Sequence, residues 1–569
     1  MPISGFADLH THPMAHLGFG GRLLAGEPDG PIERALARCD VGKHGSFGLG
    51  NFGPGWTLVQ AMIEGGFGHG PCGHDSYASW PHFGTIAHQQ MYVDWLRRAY
   101  DGGLRLLCGH AVNNELLARE FGAQDAFDRK SIELQVRELR AFVSRHSDWM
   151  DFAATPSEAR AIAASDKLVV VAGVEVDSLD GVAGDPRALD DPQQIPGAVS
   201  AILEWLRELG VSMMTPIHLA DNRFGGCAVY SDRFNLLNHH LRGRYYFVGG
   251  NPSVAFRLGE DSELATKAAI AYYELTRHSP YPSTGYRLNA PGQGHANNLG
   301  LTRAGEALVR EAIRQGFILD VDHMSERCTD AVLDVAEQLS YPVVSSHSSF
   351  REQGLGRDET SRMDKRSHEG MKTRRQAERI IALGGIVAPI TNQCELQPFV
   401  GGTVENDCAR SSKTWAQSYQ YALSLIQQYG KGGVAFGTDF NGLAQQPGPR
   451  YGPNAAAGLI GDHLREKRRP VQIKQQGPRL DYAGTMYRSS APFTKSVAGR
   501  REFDLNDDGL AHYGMLPDFI QDLRHVGMTD AQLDPLFRSA ESFVALWEKC
   551  TERGAAIVAG EPPSFGNVG

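Results

Sequence analysis

The chain has 569 residues, 41% hydrophobic and 21% charged, the balance of an ordinary globular protein. Its formal net charge of −10 argues against nucleic acid, because phosphate binding needs a basic face. No apolar run reaches the roughly 18 residues of a membrane span, so no segment is read as crossing a bilayer. The eight cysteines are scattered without a Cys-x-x-Cys pair and read as reduced thiols in a cytoplasmic protein. The start, Met1 to His10, has neither a basic n-region nor an apolar h-region, so no signal peptide is expected.

The first strand is expected over 3–9, ending in His10-Thr-His12. Segment 13–100 is rich in Gly, Pro, His and aromatic residues and has little periodicity before Gln89. An insertion of that length is usually functional, since structureless loops are otherwise short. His74, His82 and His88 lie in it, and His74 is a candidate for the wall of a substrate pocket. A second strand is expected over 104–110. Thr155-Pro-Ser-Glu158 predicts a helix start, with Thr as N-cap, Pro at the first helical position and Glu closing a capping box.

Leu168 to Glu175 is a continuous apolar run, as a strand buried on both faces requires. A helix over 198–209 leads to a strand over 211–218. A second insertion, 219–300, follows. Helical spacing of Leu301, Ala304, Leu308 and Ala312 precedes a strand over 317–323. Cys328, Val332, Val335 and Leu339 mark a further helix before the strand 342–347. A helix over 371–383, a strand over 385–390, a helix over 414–428 and a strand over 434–440 complete the series. A third insertion spans 443–500. The tail predicts helices near 517–526 and 530–549, the second opened by Thr529-Asp-Ala-Gln532. Asp504 to Gly509 is like the start of a calcium loop, but Met515 stands where the bidentate Glu belongs, so it reads as a turn.

Eight strands alternating with helices predict a TIM-like (β/α)8 barrel with large loop insertions and a C-terminal helical extension. Residues 1–569 read as one domain. Such a barrel keeps its chemistry at the strand C-termini. There the chain places His10 and His12, Glu175, His218, His323, His347 and Asp439. His10 and His12 are two apart on a strand and share a face, which suits chelation of one ion. Five N/O ligands with a shared carboxylate can hold two divalent ions, and imidazoles favour zinc over magnesium or calcium. The expected cofactor is two Zn²⁺ per chain.

Several runs resemble the membrane (renal-type) dipeptidase family of the amidohydrolase superfamily. They are Gly173-Val-Glu175, Ile318-Leu-Asp-Val-Asp-His-Met-Ser325, Pro342-Val-Val-Ser-Ser-His-Ser-Ser349, Gly384-Gly-Ile-Val387, Gly437-Thr-Asp-Phe-Asn-Gly442 and His512-Tyr-Gly-Met-Leu-Pro-Asp518. The resemblance covers the barrel core and the tail, not the three insertions. It implies hydrolysis of a dipeptide or dipeptide-like small molecule by a homodimer. It implies that Glu175 bridges two zinc ions, with His10 and position 12 on one and His323 and His347 on the other. His218 then polarises the scissile carbonyl, and Asp439 carries the proton to the leaving amine.

The chain departs from that family in two places. It has His10-Thr-His12 where the family has His-x-Asp, one charge less around the first ion. The family's substrate-carboxylate Arg has no clean match after His347; Arg357, Arg362 and Arg366 are the candidates. Ser348 and Ser349 lack a nucleophile elbow and are expected to orient His347 or its neighbours. A lactonase or phosphotriesterase of the same superfamily is the alternative enzyme. Those bridge their metals with a carboxylated Lys at the end of strand four, whereas this chain has Thr215-Pro-Ile-His218 there. A non-catalytic metal-binding scaffold is the third reading; it has no use for Asp439.

Overall fold

The computed structural model describes residues 2–37, 73–78, 80–120, 125–262, 264–282, 286, 292–359, 366–393, 395–452, 455 and 477–560. Cys39, Cys72, Cys394, Arg362 and most of the first insertion's Gly/His-rich stretch lie outside them.

The fold is α/β, built on a curled parallel sheet. Its strands are β1 (Phe6–Thr11), β2 (Leu104–Asn113), β3 (Met150–Ala153), β4 (Leu168–Val176) and β5 (Val211–Thr215). Then come β6 (Val248–Asn251), β7 (Gly294–Asn297), β8 (Ile318–Leu319), β9 (Val344–Ser348), β10 (Ile386–Pro389) and β11 (Gly433–Val434). A short pair, β12 (Ser496–Ala498) and β13 (Arg501–Phe503), follows. One sheet runs β1-β2-β4-β5-β8, with β3 paired to β4, and a second runs β11-β10-β9. All these pairings are parallel. Isolated parallel bridges join the two sheets at both edges, Asp8 with Phe436 and Thr11 with Phe440 on one side and Asp320 with Val344 on the other. Leu9 N–H donates to Phe436 O at 2.9 Å, and Val321 N–H to Val344 O at 3.0 Å.

β4 is buried along its whole length, as its unbroken Leu/Val run requires. The helix Pro156–Ala164 begins with the expected capping box: the Thr155 side chain accepts from Glu158 N–H, and the Glu158 carboxylate accepts from Thr155 N–H. Gly210 ends the helix Ile195–Leu209 at φ 91°, and Gly430 ends Ser412–Tyr429 at φ 63°. Both are left-handed positions that glycine fills without a Cβ penalty.

Other expectations shift. β8 and β11 are two residues long rather than seven. The chain leaves the ladder early, into loops where His323 has φ 62° and Asp439 φ 52°. β3 and the antiparallel pairs β6–β7 and β12–β13 are strands that periodicity does not reveal, since each is four residues or fewer. The helix expected over 530–549 is broken. Asp530–Leu533 makes one turn, Pro535 interrupts, and the long helix is Ser539–Val558. Proline offers no N–H to continue the ladder. Asp504 caps a single turn, Leu505–Asp508.

The C-terminal extension lies against the start of β1. Gly5 N–H donates to Phe537 O at 2.8 Å, and Ala7 N–H to Ser539 Oγ at 2.7 Å. Helix Ser539–Val558 buries Phe543, Val544, Leu546, Trp547 and Cys550. The start of β1 is thus covered, and polar side chains gather at the C-terminal ends of the strands.

Candidate metal centre

Glu175 ends β4 and is buried. Its two carboxylate oxygens face two different imidazole pairs. Oε2 lies 3.0 Å from His10 Nε2 and 3.4 Å from His12 Nε2, both at the end of β1. Oε1 lies 3.0 Å from His323 Nε2 and 3.6 Å from His347 Nε2. Asp439 Oδ1 is 3.1 Å from His12 Nε2. His218 Nε2 is 3.7 Å from Glu175 Oε2, and its Nδ1 is 3.0 Å from Asp177 Oδ1. All seven strand-end residues expected from the sequence therefore meet in one place.

The four imidazoles that flank Glu175 are held from behind. His12 Nδ1–H donates to His110 O at 3.0 Å. A carbonyl only accepts, so this tautomer leaves the Nε2 lone pair for an ion. His10 Nδ1 is 2.8 Å from Ser346 Oγ, which itself donates to Asp320. His347 Nδ1 is 2.9 Å from the same Ser346 hydroxyl and 3.6 Å from Asp322 Oδ2. Lys372 Nζ pairs with Asp322 at 3.1 Å. His323 Nδ1 is 2.8 Å from the Tyr230 hydroxyl. Ring nitrogens fixed in this way are the usual support of metal-binding histidines.

Charge in the site follows from that packing. Burial opposes protonation of His12, but Asp439 and Glu175 outweigh it and lift its pKa to about 10. Burial also works against ionised Glu175, yet His10, His218 and His323 hold its carboxyl well below the usual range. Burial raises the Asp439 carboxyl, with His12 opposing. Burial lowers His10 and His347 far below the ordinary imidazole value. The carboxylates thus draw positive charge onto His12 and His323, against the cost of burial, while burial keeps His10 and His347 neutral. Glu175 Oε1 and His12 Nε2 are buried without a hydrogen bond of good geometry, despite their short contacts. Such atoms are costly unless something else satisfies them. Three donor sets converge closely enough for an ion: His10 with His12 and Asp439, His10 with Asp320 and His347, and Glu175 with His323 and His347. A divalent cation fits this donor chemistry.

The centre opens into a cavity of about 440 Å³. Glu175, His218, His323, His347 and Asp439 form its floor. Its walls come from the second insertion, including Tyr230, Phe234 and Phe256, and from Arg366, His368 and Arg410. Arg366 Nη1 donates to Asp261. Arg410 is buried and donates to Gln445 Oε1 at 2.7 Å.

Two expected substrate residues lie elsewhere. Arg357 is spent on Asp261 at 2.7 Å and Glu260 at 3.3 Å, and does not line the cavity. His74 packs edge-on against Tyr77, ring centroids 6.0 Å apart, and does not line it either. None of the described residues of segment 13–100 does. That segment docks instead on the loop beyond Asp439, where Gln90 N–H donates to Asn441 Oδ1 at 3.0 Å and Asn441 Nδ2 to Gln89 Oε1 at 2.6 Å.

The hydroxyl that orients His347 belongs to Ser346, not to Ser348 or Ser349; the Ser348 hydroxyl turns to the Ser349 and Gly370 carbonyls. Asp177, Asp320, Asp322, Ser346, His110, Tyr230 and Arg410 escaped the sequence reading. Asp320 and Asp322 carried a signal, because they alternate just before His323 in the run Asp320-Val-Asp-His-Met-Ser325 and alternate residues of an extended segment share a face. Tyr230 and Arg410 lie in loops, where no spacing rule points to them.

These groups, gathered around one cavity, suit a metal-dependent hydrolase. Residues 285–365 match the family model described as membrane dipeptidase, peptidase family M19. That match, which covers less than half of the chain, supports a metal-dependent, dipeptidase-like hydrolase. No curated protein matches it. Among solved structures it is similar to a dipeptidase of family M19, with 15% identity and a TM-score of 0.38, covering 80% of this chain and 88% of that one. It is similar to a Rhodobacter sphaeroides metallopeptidase liganded with a phosphinate mimic of L-Ala-D-Ala, with 14% identity and a TM-score of 0.41, covering 80% and 89%. A Pseudomonas aeruginosa amidohydrolase matches with 12% identity and a TM-score of 0.39, covering 81% and 93%. At that similarity these structures carry no argument about this chain.

Proposed function

We propose that the chain is a binuclear, zinc-dependent hydrolase that cleaves the amide bond of a dipeptide or dipeptide-like small molecule. The observation that carries this reading is the division of Glu175, with one oxygen toward His10 and His12 and the other toward His323 and His347. A carboxylate so placed can be shared by two divalent ions, and an imidazole-rich set favours zinc. In this reading His10, His12 and Glu175 hold one ion, and Glu175, His323 and His347 the other. Bound there, the ions supply Lewis acidity, which brings the pKa of a water down toward about 7 and polarises a carbonyl.

The side chains of the chain supply the rest. His218, steadied by Asp177, offers an N–H to the oxygen on which charge develops. Asp439 accepts the proton of the attacking water and returns it to the leaving amine, which is too poor a leaving group to depart as an anion. Arg366 and Arg410, both on the cavity wall, are the candidates for a substrate carboxylate. One distance favours a second role for Asp439: at 3.1 Å from His12 Nε2 it can share in holding the first ion, making good the charge lost with His12.

The same reading takes the curled sheet as a closed (β/α)8 barrel, supported by the bridges at both of its edges. It takes residues 1–569 as one domain with insertions at 13–100, 219–300 and 443–500, and the assembly as a homodimer. Cys108, Cys227, Cys328, Cys408 and Cys550 are buried free thiols, which suits a reducing cytoplasm. No helix among the described residues is long and apolar enough to cross a membrane.

Elemental analysis of protein purified without chelator, followed by a screen of dipeptides and N-acyl amino acids, tests the function. Two zinc ions per chain with amide hydrolysis are expected. Protein with no stoichiometric transition metal and no hydrolysis overturns it.

A further inference from the structure

We propose that Tyr230, a residue of the second insertion, is a positioning residue for His323 and sets the affinity of one half of the metal centre. This rests on the reading of Glu175, His323 and His347 as the ligands of one ion. The Tyr230 hydroxyl stands 2.8 Å from His323 Nδ1, while Nε2 of the same ring faces Glu175 Oε1 at 3.0 Å. A partner on Nδ1 fixes the rotation of the ring, and with Nδ1–H donating to the phenol oxygen the Nε2 lone pair is aimed by that hydroxyl.

His323 depends on such a partner more than the other three imidazoles do. The side chains of His10, His12 and His347 are 0%, 0% and 4% exposed, whereas that of His323 is 15% exposed. The partners of those three, His110 O and Ser346 Oγ, sit on β2 and β9 within the parallel sheets. His323 lies beyond the two-residue β8 at φ 62°, on a loop whose conformation a non-glycine residue adopts only when its surroundings impose it.

The surroundings are built to impose it. Tyr230 stacks on His368 with ring centroids 5.1 Å apart and meets the Phe234 edge at 4.9 Å. Gly370 leaves the room: a Cβ there would lie 3.2 Å from both Tyr230 Cδ1 and His368 Nδ1. Between His368 and Gly370, Glu369 is buried and stitches the pieces together. Its carboxylate accepts from Val229 N–H at 2.8 Å, Asn297 N–H at 2.8 Å and Glu326 N–H at 3.0 Å. Ala228 N–H donates to His323 O at 2.7 Å. The backbone beside the tyrosine and the backbone beside the histidine are therefore pinned to one carboxylate and to each other. The second insertion is thus part of the metal centre's support as well as a wall of the cavity.

The test is Tyr230→Phe, which keeps the ring and its stacking and removes only the hydroxyl. Metal-free wild type and variant are titrated with zinc against a competing chelator, and their melting temperatures are compared without metal. The expected result is two sites in the wild type, one of them weakened about 10–100-fold in the variant, with equal melting temperatures. Wild-type affinities at both sites of the variant overturn the proposal. So does equal weakening of both sites, or a lower melting temperature of the metal-free variant, since either marks a general structural role. A wild type that binds no zinc instead overturns the metal-centre reading itself, and this proposal with it.

Discussion

Glu175 touches both imidazole pairs, whereas His218 reaches Glu175 only at 3.7 Å, and that difference separates their expected phenotypes. Glu175→Gln is expected to lower metal content more than His218→Ala. His218→Ala should keep its metal and lose about 10²–10³-fold in kcat, the usual cost of one oxyanion donor. Equal metal content in the two variants would contradict the division of roles. Asp439→Asn keeps size and removes the basic oxygen. If the residue moves the proton, kcat falls about 10²–10⁴-fold with zinc content and melting temperature unchanged. Loss of zinc along with activity assigns Asp439 to the ion beside His12, and near wild-type kcat removes it from the mechanism.

At the scale of elements, close backbone approach decides whether the ligand-bearing strands can sit side by side. Gly437 follows β11 and faces β9 so closely that a Cβ would lie 2.0 Å from Ser346 O and 2.7 Å from His347 Cα. Gly437→Ala must push β9 aside and carry His347 and Ser346 with it. Overpacking of this kind costs about 1–3 kcal/mol, and here it also disturbs the partners of His10 and His347. The expected outcome is a lower melting temperature together with weaker zinc binding, read by calorimetry and chelator competition on one preparation. A variant with wild-type values in both would show that the strands yield without cost.

At the scale of the whole molecule, a buried carboxylate ringed by four imidazoles makes stability depend on what binds there. A ligand that binds only the folded chain stabilises it by about 2.7 kcal/mol at a hundred times its dissociation constant. Removing metal with a chelator is therefore expected to lower the melting temperature, and adding zinc back should restore it. An identical melting temperature with and without chelator would sink this expectation.

Much of this protein could be read from the order of its residues. The buried strand of Leu168 to Glu175 is legible because a strand covered on both faces must be apolar throughout. The pair His10 and His12 is legible because alternate residues on a strand share a face. The capping box at Thr155 is legible because its hydrogen bonds are local. What only the tertiary structure decided depends on contacts between distant segments. Tyr230 reaches His323 from 93 residues away, and Ser346 reaches His10 from 336 residues away. Arg357 and Arg366 look alike in sequence and both pair with Asp261, yet only Arg366 lines the cavity, while Arg357 also turns to Glu260. Periodicity records which face of an element is buried. It does not record which loop comes to lie beside which ligand, because that is settled only when the strands pack together.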